Sequence, residues 1–436
     1  MLKAGVATVD ITPPPGVRMA GFAGRTKPSL AVHDPLTARA LLLDDGSRRV
    51  GLVAVDLLYA TEPVVASVRE AAASAAGVPP DGLLIAATHT HSGPQDAGEE
   101  ATQQERAYWD SVPGKLIEVV NRAAAGLGPA RLGAASGWCA IGVNRREKLP
   151  GGRIELGRDH FGKFDTEVGV VRIEKADGMP LAAVVNYACH AVCLMADSCL
   201  ISADYPGFAR HFLEERLGGG TALFFNGACG NVNPREAAVE HGLASGSGFR
   251  IAERAGRNLA QEAARVWQKA AVTDDASLSF ARRTIALPTN YQRALTSAEA
   301  AVAAAERQAA QPQAELTPYV TWRSLPSVKR ARAALARLRE RGDVPVQCEI
   351  QAIKAGPVAF LGWPGEIFCE LGMEAKERSP FRPTYVIGYA NGSIGYVPTP
   401  EAFPEGGYEV DSAARLADNA GLVLVEKSLA LLSSLP

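Results

Sequence analysis

Short apolar runs alternate with longer amphipathic stretches along most of the chain. Runs bounded by Gly, Asp or Pro read as buried strands: Gly5–Thr12, Thr37–Leu43, Val50–Leu57, Leu83–Thr88, Val168–Ile173, Leu181–Tyr187 and Ala222–Asn226. Stretches in which Ala, Leu and Val recur three to four apart read as helices: Thr61–Ala76, Gln103–Ala125, Tyr205–Arg216 and Arg250–Ala270. Near the C-terminus the strand pattern returns at Cys348–Lys354, Val358–Trp363 and Tyr385–Tyr389. The alternation predicts an α/β fold, with a layered mixed β-sheet core flanked by α-helices, in a single domain over residues 1–436. From Asn290 to Arg341 the rhythm breaks into Ala, Arg, Glu and Gln, with Pro312 and Pro318 inside. That stretch predicts an inserted helical hairpin: a solvated arm, a cap over a site or a dimer contact.

Composition narrows the class of protein. With 436 residues, 47% of them hydrophobic and 21% charged, the chain matches an ordinary globular enzyme. A formal net charge of −2 gives no electrostatic case for binding nucleic acid or an anionic membrane. No uninterrupted apolar window is long enough for a spanning helix, so no stable membrane association is expected. The N-terminus, MLKAGVATVDITPPPG, lacks the apolar core of a signal peptide. Seven cysteines with no CxxC pair point to free thiols in a reducing cytoplasm. A symmetric homodimer is compatible with this size.

In layered α/β folds, ligands bind beyond the carboxyl ends of strands. Several polar residues share that address. His89 and His91 lie in THTHSGP, His190 in NYACHAV, Asn231 and Asn233 in GACGNVNP, Glu366 in PGE, and Tyr396 in ANGSIGYVPT. Asp56 follows another strand. Two or three histidines plus a carboxylate form the ligand set of a catalytic zinc. Taken singly, His89 reads equally as a capped turn residue and His190 as a satisfied core group. The HxH spacing puts two side chains on one side of an extended strand. It also allows one histidine to bind metal while the other faces substrate. The asparagines read as turn formers or as amide donors to a substrate oxygen. Cys229 reads as a buried apolar thiol. Asp56 and Asp204 are candidate acceptors that orient the histidine rings.

The order of ATHTHSGP, NYACHAV, ISADYPGFARHFLEE, GACGNVNP, GWPGEIF and ANGSIGYVPT resembles the catalytic domain of the neutral/alkaline non-lysosomal ceramidase family over nearly the whole chain. The resemblance implies a zinc-dependent hydrolase with one ion per chain, held by His89, His190, Glu366 and Tyr396. It places His91 beside the reacting water, and Arg145 and Tyr408 on the substrate side. This chain departs from the family's Gly-Asp-x-Ser-Pro pattern: Asn231 stands at the Asp position and Asn233 at the Ser position. A serine nucleophile at that site is therefore impossible, and catalysis must rely on activated water. The chain also shows neither the family's secretion signal nor its C-terminal sandwich, which leads us to expect a cytoplasmic enzyme. The reading is a zinc amidohydrolase cleaving a carboxamide of a small polar substrate. The alternatives are a ceramidase working without the serine, an ester or lactone hydrolase, and a non-catalytic zinc-binding protein.

Overall fold

In the computed structural model the described residues are 1–436 except 23, 24, 26, 99, 238–246, 274–276 and 311–327. Two sheets dominate. The larger has eight strands, in the spatial order Thr221–Asn226, Pro180–Tyr187, Glu167–Lys175, Gly128–Trp138, Lys3–Asp10, Thr37–Asp44, Arg49–Val55 and Leu83–Ala87. The smaller runs Leu278–Leu287, Val346–Ala355, Val358–Gly362 and Thr384–Ile387. Both are mixed. Arg49–Val55 pairs in parallel with Leu83–Ala87, Pro180–Tyr187 with Thr221–Asn226, and Val358–Gly362 with Thr384–Ile387.

Continuously apolar strands bury both faces, and the alternation of side chains shows what covers each. In Leu83–Ala87, the residues Leu83, Ile85 and Ala87 join a core shared with helices Glu62–Ala75, Gln103–Ala125, Asp204–Leu217 and Ser247–Lys269. Leu84 and Ala86 point the other way, into a core shared with Ile353, Phe360, Tyr385 and Ile387 of the smaller sheet. The smaller sheet's outer face, through Ala359, Leu361 and Val386, packs under helices Cys369–Arg378 and Ala420–Ser433. The result is four layers: helices, large sheet, small sheet, helices. A Leu or Ile fully buried in these interfaces contributes about 1.5–3 kcal/mol.

Element boundaries match the apolar pattern within a few residues, and Gln103–Ala125 matches at both ends. Its start is sharp because Thr102 and Glu105 form a reciprocal capping box. Several strands lie outside the expected set, among them Gly142–Lys148, Ile154–Asp159 and the two described next. Gly128–Trp138 is rich in Gly, Ala and Ser, yet it sits mid-sheet. Its small residues are required by close approach. A Cβ on Gly133 would come within 2.3 Å of the Ala271 carbonyl oxygen, and one on Gly137 within 2.1 Å of the Glu262 carboxylate. Leu278–Leu287 is interrupted by Arg282, Arg283 and Thr284, which are exposed. The expected insertion has helices Tyr291–Ala310 and Val328–Arg341, joined by ion pairs from Glu306 to Arg332 and Glu299 to Arg339. Pro312 and Pro318 lie outside the described residues. Among the described residues, no helix is long and apolar enough to cross a membrane.

Candidate metal centre

Both sheets end at one place. His89 follows Leu83–Ala87, His190 follows Pro180–Tyr187, Glu366 follows Val358–Gly362, and Tyr389 follows Thr384–Ile387. A parallel bridge between Thr90 and Ala191 sets the two histidine segments side by side. A short parallel pair matches Glu366 with Tyr396 as direct partners. His89 itself has φ 61°, in the left-handed region that non-glycine residues seldom adopt. The alternation of an extended strand therefore does not explain how His89 and His91 meet; a turn does. The Asn226 amide donates to the Thr88 carbonyl and helps hold that turn.

The histidine nitrogens converge. One ring nitrogen each from His89, His91 and His190 lies within 4.8 Å of the others. His91 Nε2 is 3.1 Å from His89 Nε2, and Glu366 Oε2 is 3.0 Å from His190 Nε2 and 3.6 Å from His89 Nε2. Bonds of about 2.0–2.1 Å to a four-coordinate zinc imply donor–donor separations of roughly 3.3–3.4 Å, so this donor set fits an ion. The second ring nitrogens support that fit. His89 Nδ1 sits 2.9 Å from the Leu58 carbonyl oxygen, and His190 Nδ1 sits 2.8 Å from that of Cys229. A carbonyl can only accept, so Nδ1 of each ring donates, and each Nε2 lone pair is presented to the centre. His91 differs: its Nδ1 is buried with no hydrogen-bond partner. Gly21, at φ 94°, packs onto that ring so closely that a Cβ would come within 2.4 Å of it.

The carboxylates expected behind the rings do other work. Asp56 pairs with Arg210 through two bonds of 2.7 Å and also holds Thr37 and Thr88. Asp204 accepts backbone N–H groups from Cys193, Leu194 and Tyr205. Main-chain carbonyls orient the rings instead, and side-chain composition carries no sign of them. Tyr59 was also missed. Its hydroxyl donates to Glu366 Oε1 at 2.5 Å. The available signal was its position just past the strand Arg49–Val55. Tyr389 stacks on the His89 ring at 4.0 Å, and its hydroxyl is 3.1 Å from Cys229 Sγ.

Arg145 is buried and most of its donors are engaged. It donates to Glu409 at 2.7 Å, to Asn233 Oδ1 at 3.1 Å and to the Tyr396 hydroxyl at 3.0 Å, and it lies 3.4 Å from His190 Nε2. It positions Tyr396 rather than lying open to a substrate. Tyr396 packs edge-on against Tyr408, which is half-exposed. Asn233 therefore faces the centre through Arg145. Asn231 does not: its amide donates to Glu370 and its oxygen accepts the Cys369 N–H. That geometry makes it a loop brace, in keeping with the turn-forming one of its two sequence readings.

Burial and charge polarise the group. Burial, with Arg145 alongside, pushes His190 down to about 4. Burial and the neighbouring histidines hold His91 well below the usual imidazole range. Burial alone would raise Glu366, but its close approach to His190 and His89 holds it well below the carboxylate range. Burial pushes the Cys229 thiol up to about 12, as expected of an inert core cysteine. A cavity of about 610 Å³ adjoins the centre, reaching Leu58, Tyr59 and Gly21.

Fold and site together define a layered α/β protein with a candidate histidine–carboxylate metal centre where two sheets meet. The family model for the N-terminal part of neutral/alkaline non-lysosomal ceramidases matches residues 2–240, more than half of the chain. The chain belongs to that family. It is 26% identical to neutral ceramidase A of Dictyostelium discoideum over 235 residues, 51% of this chain and 33% of that protein. It is 27% identical to the neutral ceramidase of Pseudomonas aeruginosa over 247 residues, 53% of this chain and 37% of that one. The matched stretch thus spans about a third of each relative's length. The crystal structure of the Pseudomonas aeruginosa enzyme superposes with a TM-score of 0.75 at 22% identity, covering 100% of this chain and 75% of that one. A ceramidase complexed with C2 gives 0.74 at 18% identity, covering 99% and 74%. These likenesses show the fold. Glu366, Tyr396 and Tyr408 lie beyond the family-model match, and only the tertiary structure brings them to the histidines.

Proposed function

We propose that this chain is a zinc-dependent amide hydrolase, taking one ion per chain and cleaving the C–N bond of a small polar carboxamide. The observation that carries this reading is the pair of Nε2 lone pairs on His89 and His190, presented to Glu366 by carbonyls that fix both ring tautomers. Imidazole with carboxylate is a donor set suited to zinc. His89, His190 and Glu366 would hold the ion, with Tyr396 completing the set. His91 is not supported in the way a ligand is, because its Nδ1 has no acceptor.

When bound, zinc supplies Lewis-acid polarisation of the scissile carbonyl and water activated near neutral pH. The chain's own groups do the rest. His91, held neutral by burial, is in the form that accepts a proton from water and returns it to the leaving amine. Arg145 keeps Tyr396 in place, and the half-exposed Tyr408, which packs against Tyr396, would steady the substrate oxygen. Asn233, which the resemblance sets against the family's serine, offers no nucleophile. The relatives' names supply the amide class, and hydrolysis of ceramide itself is the second reading that membership of the family favours.

The test is metal analysis followed by turnover. Protein purified with zinc supplementation should hold about one equivalent; less than about a tenth would overturn the centre. Small polar amides should be preferred over a soluble short-chain ceramide by at least about 100-fold in kcat/KM, a ratio that requires lack of room or unpaired polar groups. Equal or faster turnover of the ceramide would establish the second reading instead.

A further inference from the structure

Arg25 is a half-buried cation with no carboxylate partner among the described residues, and it lines the cavity beside the metal centre. Its Nη1 donates to the carbonyls of Ala20 at 2.8 Å and His91 at 2.7 Å. Its Nη2 donates to Met195 O at 3.2 Å, and its Nε reaches Ala196 O at 3.4 Å. These contacts satisfy most of the five guanidinium N–H groups. Among the described residues they leave one Nη2 hydrogen without an acceptor and the positive charge without an ion pair. Asp197 acts on Arg25 only at a distance, and no ion pair to Arg25 forms among the described residues. Burial pushes the guanidinium down to about 10, against the weaker raising effect of Cys199 and Asp197. Such an arrangement is costly unless something supplies the anion.

Among the described residues, no other charged group lining the cavity forms an ion pair with Arg25, and Asp96 acts on Arg18 instead. Arg18, which lines the same space, is already matched by Glu105 through a forked pair. Glu100 is paired with Lys329 and Arg330. Phe22 lies between Arg25 and the centre: its ring is 4.9 Å from the guanidinium carbon and meets His91 edge-on at 5.0 Å. An anion on Arg25 would therefore sit one aromatic ring away from the His91 imidazole.

We propose that Arg25 is a specificity-determining residue that binds a carboxylate on the substrate, so that the amides cleaved here are acids of the N-acyl amino acid type. This rests on the hydrolase reading above and names its substrate class. In the reaction water adds across the C–N bond, hydroxide going to the acyl carbon and a proton to the amine. The carboxylate held by Arg25 leaves unchanged on its fragment. The fork of a guanidinium matches a carboxylate geometrically, which a lysine at this position would not do as well.

The experiment separates binding from turnover. Zinc-loaded protein is titrated with 3-phenylpropanoate and with 3-phenylpropanol, neither of which contains an amide, and quenching of Trp109, which lines the cavity, reports occupancy. The acid should bind at least about 10-fold more tightly than the alcohol. Arg25→Gln should remove that advantage and leave the alcohol's affinity as it was. Arg25→Lys, which keeps the charge and some of the carbonyl bonds, should retain part of it and covers the case in which the glutamine variant misfolds. Equal affinity of the wild-type protein for acid and alcohol would overturn the proposal. So would an advantage for the acid that survives in folded Arg25→Gln, because the metal alone would then hold the acid. Failure of the hydrolase reading would show separately, as zinc-loaded protein that binds the acid through Arg25 but turns over no amide.

Discussion

Tyr59→Phe removes one hydroxyl and tests whether the centre is a metal site at all. In the native protein that hydroxyl donates to Glu366 Oε1 at 2.5 Å, while Glu366 Oε2 faces His190 and His89. Burial and the adjacent carboxylate both raise the Tyr59 phenol well above its usual range, so it remains a donor throughout the working pH range. The bond is charge-assisted, a class worth about 1.5–3 kcal/mol. Without it, Glu366 loses the partner that fixes its orientation and leaves a buried oxygen unsatisfied. If Glu366 holds zinc, that loss translates to roughly a 10- to 150-fold weaker Kd, at about 1.4 kcal/mol per tenfold. Removal of comparable outer groups at known sites typically lowers affinity about 10–100-fold. The assay is competition with a chromophoric chelator, run beside urea unfolding of the zinc-free protein to confirm that the variant is folded. Tyr389→Phe is the control, since its hydroxyl contacts only Cys229 Sγ among the described groups while its ring stacks on His89. It should change zinc affinity by less than about 3-fold. A folded Tyr59→Phe protein with a zinc Kd within about 3-fold of the wild type would show that Glu366 is not a ligand.

Two further outcomes follow from the same geometry. His91→Ala should keep its zinc but lose about 10²–10⁴-fold in kcat, the range of a general acid–base group; loss of the metal instead would make His91 a ligand. Asp204, pushed by burial from 3.8 up to about 6, should impose a pH dependence on stability. Its folded pKa lies above the unfolded value, so its contribution is present below pH 3.8 and is lost as pH rises to about 6, a change of about 3 kcal/mol. Urea unfolding of the wild type and Asp204→Asn across this window should show the slope only in the former, and parallel curves would refute it.

Much of this protein is legible in its sequence. The apolar runs place the strands because a stretch buried on both faces must be apolar throughout, as Leu83–Ala87 is. The strand-end histidines are visible as candidates because they share the ligand-binding address beyond strand ends, although each taken singly also reads as a turn or core residue. Glu366 shares that address. What the pattern does not contain is anything set by contact between distant segments. Gly128–Trp138 does not read as a strand, because its small residues answer to a helix lying against it rather than to strand propensity. Tyr396 reaches the centre through its parallel pairing with Glu366, which no local spacing encodes. The orientation of His89 and His190 depends on the carbonyls of Leu58 and Cys229, groups that every residue carries and that no residue type betrays. Asn231 and Asn233 look alike in the chain, yet one braces a loop and the other meets Arg145. Residue chemistry and period thus determine which side chains are available and which segments are buried. Only the closing of two sheets onto each other decides which of those side chains share a site and which of their atoms remain free to act.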